Sequence, residues 1–267
     1  MRRFNKILFA TLAFVLMMSG SLVQAAVPND PIQWGFKKGQ NEKPAEAGKE
    51  REKLLEKYGA VYKGDPNKKD IYLTFDNGYE NGFTDQILDV LKKEKVPATF
   101  FVTGHYLESA EDLVIRMVQE GHIVGNHSYY HPDLTKVDDA RVKRELDRVK
   151  DLTYELTGQK QMSYLRPPRG VFSERTMKLA KDAGYTHVMW SLAFVDWNTD
   201  QQKGWEYSYN NIMKQIHPGA ILLLHTVSKD NADALEKVIK DLKKQGYTFK
   251  SLDDLFADGA FDDPMLH

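Results

Sequence analysis

From Asp70 onward, short runs of β-forming residues alternate with segments of helical period, and the regularity of that alternation excludes most folds. Strand runs are read at 71–75, 98–103, 123–126, 164–166, 187–191, 220–224 and 248–250. Between them, apolar residues recur at helical spacing over 84–94, 111–119, 140–156, 174–183, 208–216 and 231–245. Gly121, Gly158, Gly184 and Gly246 stand where helices should stop, since glycine tolerates the left-handed backbone that ends them. Repeated β-then-α units build a parallel sheet flanked by helices. About seven such units fit a closed or nearly closed barrel better than an open sheet with several reversals of strand order. The predicted fold is α/β, a deformed parallel (β/α) barrel with an N-terminal arm.

Residues 1–25 have the basic, apolar and small-residue layout of a secretory signal peptide, with cleavage expected after Ala25. This predicts an exported protein with no stable membrane span once the leader is removed; the alternative reading, an uncleaved anchor, also places the working domain outside the cytoplasm. Residues 26–69 are rich in Pro, Gly, Lys, Glu and Asn around one apolar knot of Ile32, Trp34 and Phe36. They read as an arm that packs on the main domain of 70–256, with a short helix over 46–57, and residues 257–267 read as a frayed tail. The 37 Lys and Arg against 38 Asp and Glu leave a net charge of −1, which gives no electrostatic footprint for nucleic acid. With no cysteine in the chain, a metal would have to be held by His, Asp, Glu or Asn, and there are eight histidines.

Chemistry-bearing residues recur where strands end, the edge at which loops converge in parallel α/β folds. Asp76 follows the run 71–75 and precedes the turn residues Asn77 and Gly78; taken alone, it is as readily a helix cap. His127 and His131 follow the run 123–126 at a four-residue spacing, which on a helical turn would put both imidazoles on one face as metal ligands. Arg166 ends another run, followed by Pro167, Pro168 and Arg169, and its planar guanidinium suits a carboxylate. Asp196 and Trp197 follow the fifth run, and His225 closes the apolar strand of 220–224. Each has an ordinary structural counterpart, but five strand ends carrying such groups form a pattern. His105 and His122 are assigned to structure.

These motifs resemble, in order, those of the polysaccharide deacetylases, carbohydrate esterase family four, with its NodB homology domain. The resemblance runs from about residue 71 to 256. The first motif stands as Thr74, Phe75, Asp76, Asn77, Gly78; the second as His127, Ser128, Tyr129, Tyr130, His131; the third as Arg166, Pro167, Pro168, Arg169, Gly170. The fourth is Asp196 and Trp197, and the fifth Leu222, Leu223, Leu224, His225. The resemblance implies that Asp76 is the general base, oriented by Arg166, and that His225 is the general acid, steadied by Asp196. It further implies a divalent metal, zinc above all, on His127, His131 and the position of Asn77, and substrate contacts from Arg169, Trp197 and Tyr130. The backbone N–H of Arg169 would help to hold the oxyanion.

Two residues depart from the family pattern. Asn77 stands where a second, metal-binding Asp is usual, which predicts weaker metal binding. Arg169 replaces a residue that is commonly tyrosine. With the arm and the segment around Asp196, these departures resemble the spore-cortex N-acetylmuramic acid deacetylase subgroup. That implies hydrolysis of the N-acetyl group on muramic acid residues of stem-peptide-free peptidoglycan, a step toward muramic δ-lactam, by a monomer in the spore intermembrane space or cortex. Arg169 would then read the lactyl carboxylate of muramate. The alternatives are a deacetylase of N-acetylglucosamine in peptidoglycan or chitin oligomers, and a metal-poor, catalytically silent glycan-binding protein.

Overall fold

The computed structural model describes residues 26–257. The expected signal peptide and all but the first residue of the expected tail lie outside them. The chain opens with β1 (Ile32–Gln33) and α1 (Lys49–Lys57), followed by β2 (Asp70–Asn77), α2 (Thr84–Glu94) and β3 (Ala98–Val102). Next come α3 (Gly104–Ser109), α4 (Glu111–Gln119), β4 (Ile123–Asn126), α5 (Asp139–Thr157), β5 (Tyr164–Leu165) and β6 (Val171–Phe172). The last third holds α6 (Glu174–Asp182), β7 (Thr186–His187), α7 (Trp205–Gln215), β8 (Ala220–His225), α8 (Lys229–Lys244), β9 (Thr248–Phe249) and α9 (Leu252–Ala257).

The main sheet has seven strands in the order β7-β5-β4-β3-β2-β8, with β9 also on β2, and every pairing in it is parallel. β2 is its axis, buried from Ile71 to Asn77 because both of its faces are covered, one by helices and one by the interior of the curl. Seven runs were expected and seven are found, but the run at 187–191 is regular only over Thr186–His187. Beyond it the chain leaves β5: Val188 bridges to Val61 of the arm, and Leu192 bridges in parallel to Leu222 of β8. Ser191 and Leu192 both donate their N–H to the carbonyl of Ile221. The sheet therefore curls round on itself through a short bridge rather than a full ladder.

Helix ends follow local chemistry. Asp138 caps α5 by accepting from the Arg141 N–H, and Gly158 ends it at φ 75°. Ser173 and Thr176 form a capping box at the start of α6. α3 and α9 were not foreseen, because six-residue helices carry too few apolar repeats to show a period. The arm has its own apolar contact: Trp34, Ala47, Leu55, Ala60 and Tyr62 pack with Phe172, Met177 and Met189 of the main domain. β1 adds an antiparallel pair with β6, outside the main sheet.

Candidate active site

In a parallel sheet, residues at the same register on neighbouring strands point to the same face. Asp76 is level with Phe101 of β3 and with His225 of β8, so a carboxylate and an imidazole share the inner face at the carboxyl edge. Two residues earlier Thr74 faces the same way. Arg166, completely buried just past β5, reaches both: its Nη1 donates to Thr74 Oγ1 at 2.8 Å and to Asp76 Oδ1 at 2.9 Å. The carbonyls of Val188 and Met189 take its Nε and Nη2 at 3.0 and 3.3 Å, and the guanidinium lies 4.2 Å from the Phe101 ring centre. Burial by itself would raise the Asp76 carboxyl; Arg166, then His127 and His225, outweigh it, and the net shift is downward. Asp76 is therefore ionised at neutral pH.

His127 and His131 come together, with ring centres 4.8 Å apart, but not on the helical turn that their spacing suggested. The segment is irregular, and Ser128 and His131 have left-handed backbones at φ 61° and 55°. One local and one tertiary bond hold it: Asn126 Oδ1 accepts from the Ser128 N–H at 2.9 Å, and Glu145 Oε2 on α5 from the Tyr130 N–H at 2.7 Å. His127 Nδ1 lies 2.8 Å from the Arg166 carbonyl, which can only accept, so the ring proton sits on Nδ1. Nε2 then presents a lone pair, 3.5 Å from Asp76 Oδ2. Burial lowers the pKa of both imidazoles, that of His131 to about 4, so both are neutral at physiological pH.

Asn77 is the next residue on an alternating strand and is level with the residue after His225. Its Nδ2 donates to Thr226 Oγ1 at 2.8 Å, so the amide nitrogen is committed away from Asp76, while its buried Oδ1 has no hydrogen-bond partner. Among the described residues no group of three or more His, Cys, Asp or Glu is arranged to hold a metal. Two neutral imidazoles and a carboxylate facing the lone pair of one of them suit a divalent cation; the Asn77 amide oxygen is uncommitted, but it belongs to the alternate face of β2.

Across the edge, Asp196 is buried and fully engaged. Its Oδ1 lies 2.7 Å from His225 Nδ1; its Oδ2 accepts from the His225 N–H at 2.9 Å and from Asn231 Nδ2 at 2.5 Å. Burial would lower the His225 pKa, but Asp196 and then Asp76 outweigh it and the net shift is upward. Trp197, about half exposed, sets its ring 5.5 Å from that of His225. Tyr130 is 62% exposed, with its hydroxyl accepting from Arg148 Nη1 at 3.1 Å. It borders a groove of about 590 Å³ with Tyr79, His105, Tyr129 and His131. Arg169 is exposed beside this edge, near enough to His131 to contribute to its lowered pKa. Of the two histidines assigned to structure, His122 is buried and His105 lies on this groove.

The polysaccharide deacetylase family matches residues 63–188. A peptidoglycan-N-acetylmuramic acid deacetylase, PdaA of Bacillus subtilis, is 55% identical over 95% of this chain and 97% of its own length. The chain belongs to the polysaccharide deacetylase family. Its fold is that of the family 4 carbohydrate esterases: the structure of Bacillus subtilis PdaA superposes with a TM-score of 0.86 at 57% identity, covering 87% of this chain and 99% of that one. A family 4 carbohydrate esterase from Bacillus anthracis gives 0.75 at 54% identity, over 88% and 100%. The chain is thus a hydrolase of the deacetylase type.

Some participants were given no role of their own from the sequence, Thr74 standing there only as the first residue of a motif. Thr74 and Asn231 bear on Asp76 and Asp196 only through the fold, and Trp190, 5.6 Å from the Arg166 guanidinium, lay inside a run read simply as strand. The pairing of Gln33 with the loop of Arg169 was equally invisible.

Proposed function

We propose that the protein removes the N-acetyl group from N-acetylmuramic acid residues of stem-peptide-free peptidoglycan, releasing acetate and leaving an amine that can close to the muramic δ-lactam. The observation that carries this reading is the register pair Asp76 and His225: two groups level on adjacent strands, the carboxyl held ionised and the imidazole with its pKa raised toward the protonated form. A carboxylate base beside an imidazolium acid is the division of labour that amide hydrolysis needs. The 55% identity with PdaA supports muramate as the substrate.

Asp76 takes the proton of the attacking water while Arg166 fixes which of its oxygens is free. His225, oriented through Nδ1 by Asp196, gives its Nε2 proton to the departing amine nitrogen as the C–N bond breaks. His127 and His131 would hold a divalent cation, with Asn77 Oδ1 as the remaining uncommitted acceptor; when bound, it polarises the acetamide carbonyl and the attacking water. We assign that cation as zinc, on the imidazole donors, and place the working enzyme in the cell envelope, at the spore cortex. Among the described residues no helix is long and apolar enough to cross a membrane.

Arg169 supports the choice of muramate over glucosamine. Its guanidinium makes no ion pair or hydrogen bond among the described residues, and an unpaired Arg on the rim is a ready partner for the lactyl carboxylate. Trp197, beside His225, and Tyr130, beside His131, would both contact the sugar. The test is acetate release from glycan strands lacking stem peptides, against a chitin oligomer, before and after chelation and with zinc, manganese or magnesium restored. Release from stem-free glycan alone, lost on chelation and recovered with one ion, is the expected outcome. Release from the chitin oligomer alone would make the protein a glucosamine deacetylase.

A further inference from the structure

The loop that carries Arg169 is held from behind by the N-terminal arm. Arg169 and Gly170 are consecutive left-handed residues, at φ 59° and 66°. For arginine this backbone is unfavourable and persists only where surrounding contacts over-determine it. Those contacts come from the arm. Gln33 Nε2 donates to the Arg169 carbonyl at 2.8 Å, and the Trp34 N–H donates to the Gly170 carbonyl at 2.8 Å. Beyond the loop, Gln33 and Ile32 pair with Val171 and Phe172. Behind it, the Trp34 indole N–H donates to the Trp190 carbonyl at 3.0 Å. A Cβ on Gly170 would come within 2.8 Å of Trp190 and 3.1 Å of Trp34, so loop and arm are in direct contact.

We infer that Gln33 is a positioning residue for substrate selection: by tying the Arg169 carbonyl to the arm, it fixes the left-handed backbone that presents the guanidinium to the substrate carboxylate. The segment of residues 26–69, most of which precedes the family match at residue 63, is on this account part of the substrate site rather than a packing extension. The inference rests on the reading of Arg169 as the lactyl-carboxylate contact. Gln33 is exposed and touches none of the proposed catalytic residues, so its loss is separable from unfolding and from chemistry.

The test compares kcat/KM on stem-free muramate-containing glycan and on a chitin oligomer for the unaltered enzyme, Gln33→Met, Gln33→Lys, Arg169→Ala and the double variant Gln33→Met/Arg169→Ala. Methionine keeps the length of the side chain and removes the donor, whereas lysine keeps a donor. Gln33→Met is expected to lower the preference for muramate roughly three- to tenfold, the scale of one lost hydrogen bond. The loss should fall mainly on KM, with Tm unchanged, and Gln33→Lys should restore part of the preference. In the Arg169→Ala background Gln33→Met should change the preference no further, since both act through one guanidinium. A Gln33→Met enzyme with unaltered preference, beside an Arg169→Ala enzyme that has lost it, would overturn the inference and leave the role of Arg169 standing. Preference unaltered in Arg169→Ala itself would overturn both.

Discussion

His127 Nε2 and Asp76 Oδ2 face each other at 3.5 Å with no proton between them, because the Arg166 carbonyl draws the imidazole proton to Nδ1 and Arg166 holds the carboxyl ionised. Two electron-rich atoms so placed repel unless a cation lies beside them. Zinc should therefore raise the Tm of the protein in a concentration-dependent way, by mass action on the folded state. His127→Leu should abolish that rise and lower acetate release by at least about 100-fold, the scale on which losing a positioned charge-stabilising group costs catalysis. A zinc-dependent Tm rise that survived in His127→Leu would place the cation elsewhere.

Removing Arg166 should expose how much it stabilises. Its guanidinium is completely buried and is the direct cationic partner of Asp76. Arg166→Leu leaves an uncompensated buried carboxylate, for which the expected cost is about 3 kcal/mol or more. Adding Asp76→Asn should recover part of that loss while activity stays absent. Urea unfolding of the single and double variants measures both. Equal stability of the double and the Arg166→Leu variant would mean that the pair is not coupled.

The His225–Asp196 pair predicts a pH profile. The His225 pKa is raised in the fold, so this group contributes stability that is present below its ordinary 6.5 and is lost as pH rises through the folded value. Its acid form is likewise lost there, giving the alkaline limb of the kcat profile. Asp196→Asn removes the raising partner and leaves burial, so the alkaline limb should move to lower pH and kcat should fall. A limb that stayed in place would remove His225 from the role of general acid.

Acid should unfold the protein through a different histidine. His187 on β7 is buried, has an unpartnered Nε2, and is lowered to about 4 by burial. A group whose folded pKa is depressed this way costs stability as pH falls from about 6.5 toward 4, because the unfolded chain takes the proton first. At pH 5 the expected loss is about 2 kcal/mol from this residue. His187→Gln should flatten that part of the stability curve, as read by urea midpoints between pH 7 and 5.

The order of elements was legible because β-formers, helical periods and stop glycines are local signals. The helices at Thr84–Glu94 and Glu111–Gln119 fall where their apolar spacing put them. So was the list of chemistry-bearing positions, since each strand end announces itself by a polar residue after an apolar run. The backbone of the His127 to His131 segment was not legible: four-residue spacing suggests a helical turn, yet left-handed Ser128 and His131 make the approach, held locally by Asn126 and, from the helix α5, by Glu145.

Sequence alone determined which groups are available and at which edge of the sheet they emerge, because strand polarity and the alternation of side chains are properties of short stretches. The tertiary structure decided what those groups are chemically. Asp76 is held ionised because Arg166 lies against it across 90 residues of chain, the His225 pKa is raised because Asp196 reaches it across 29, and the carbonyl of Arg169 is fixed by Gln33 across 136. A proton's affinity and a loop's conformation depend on what stands within a few ångströms, and those distances are set only when the curled sheet and its arm come together.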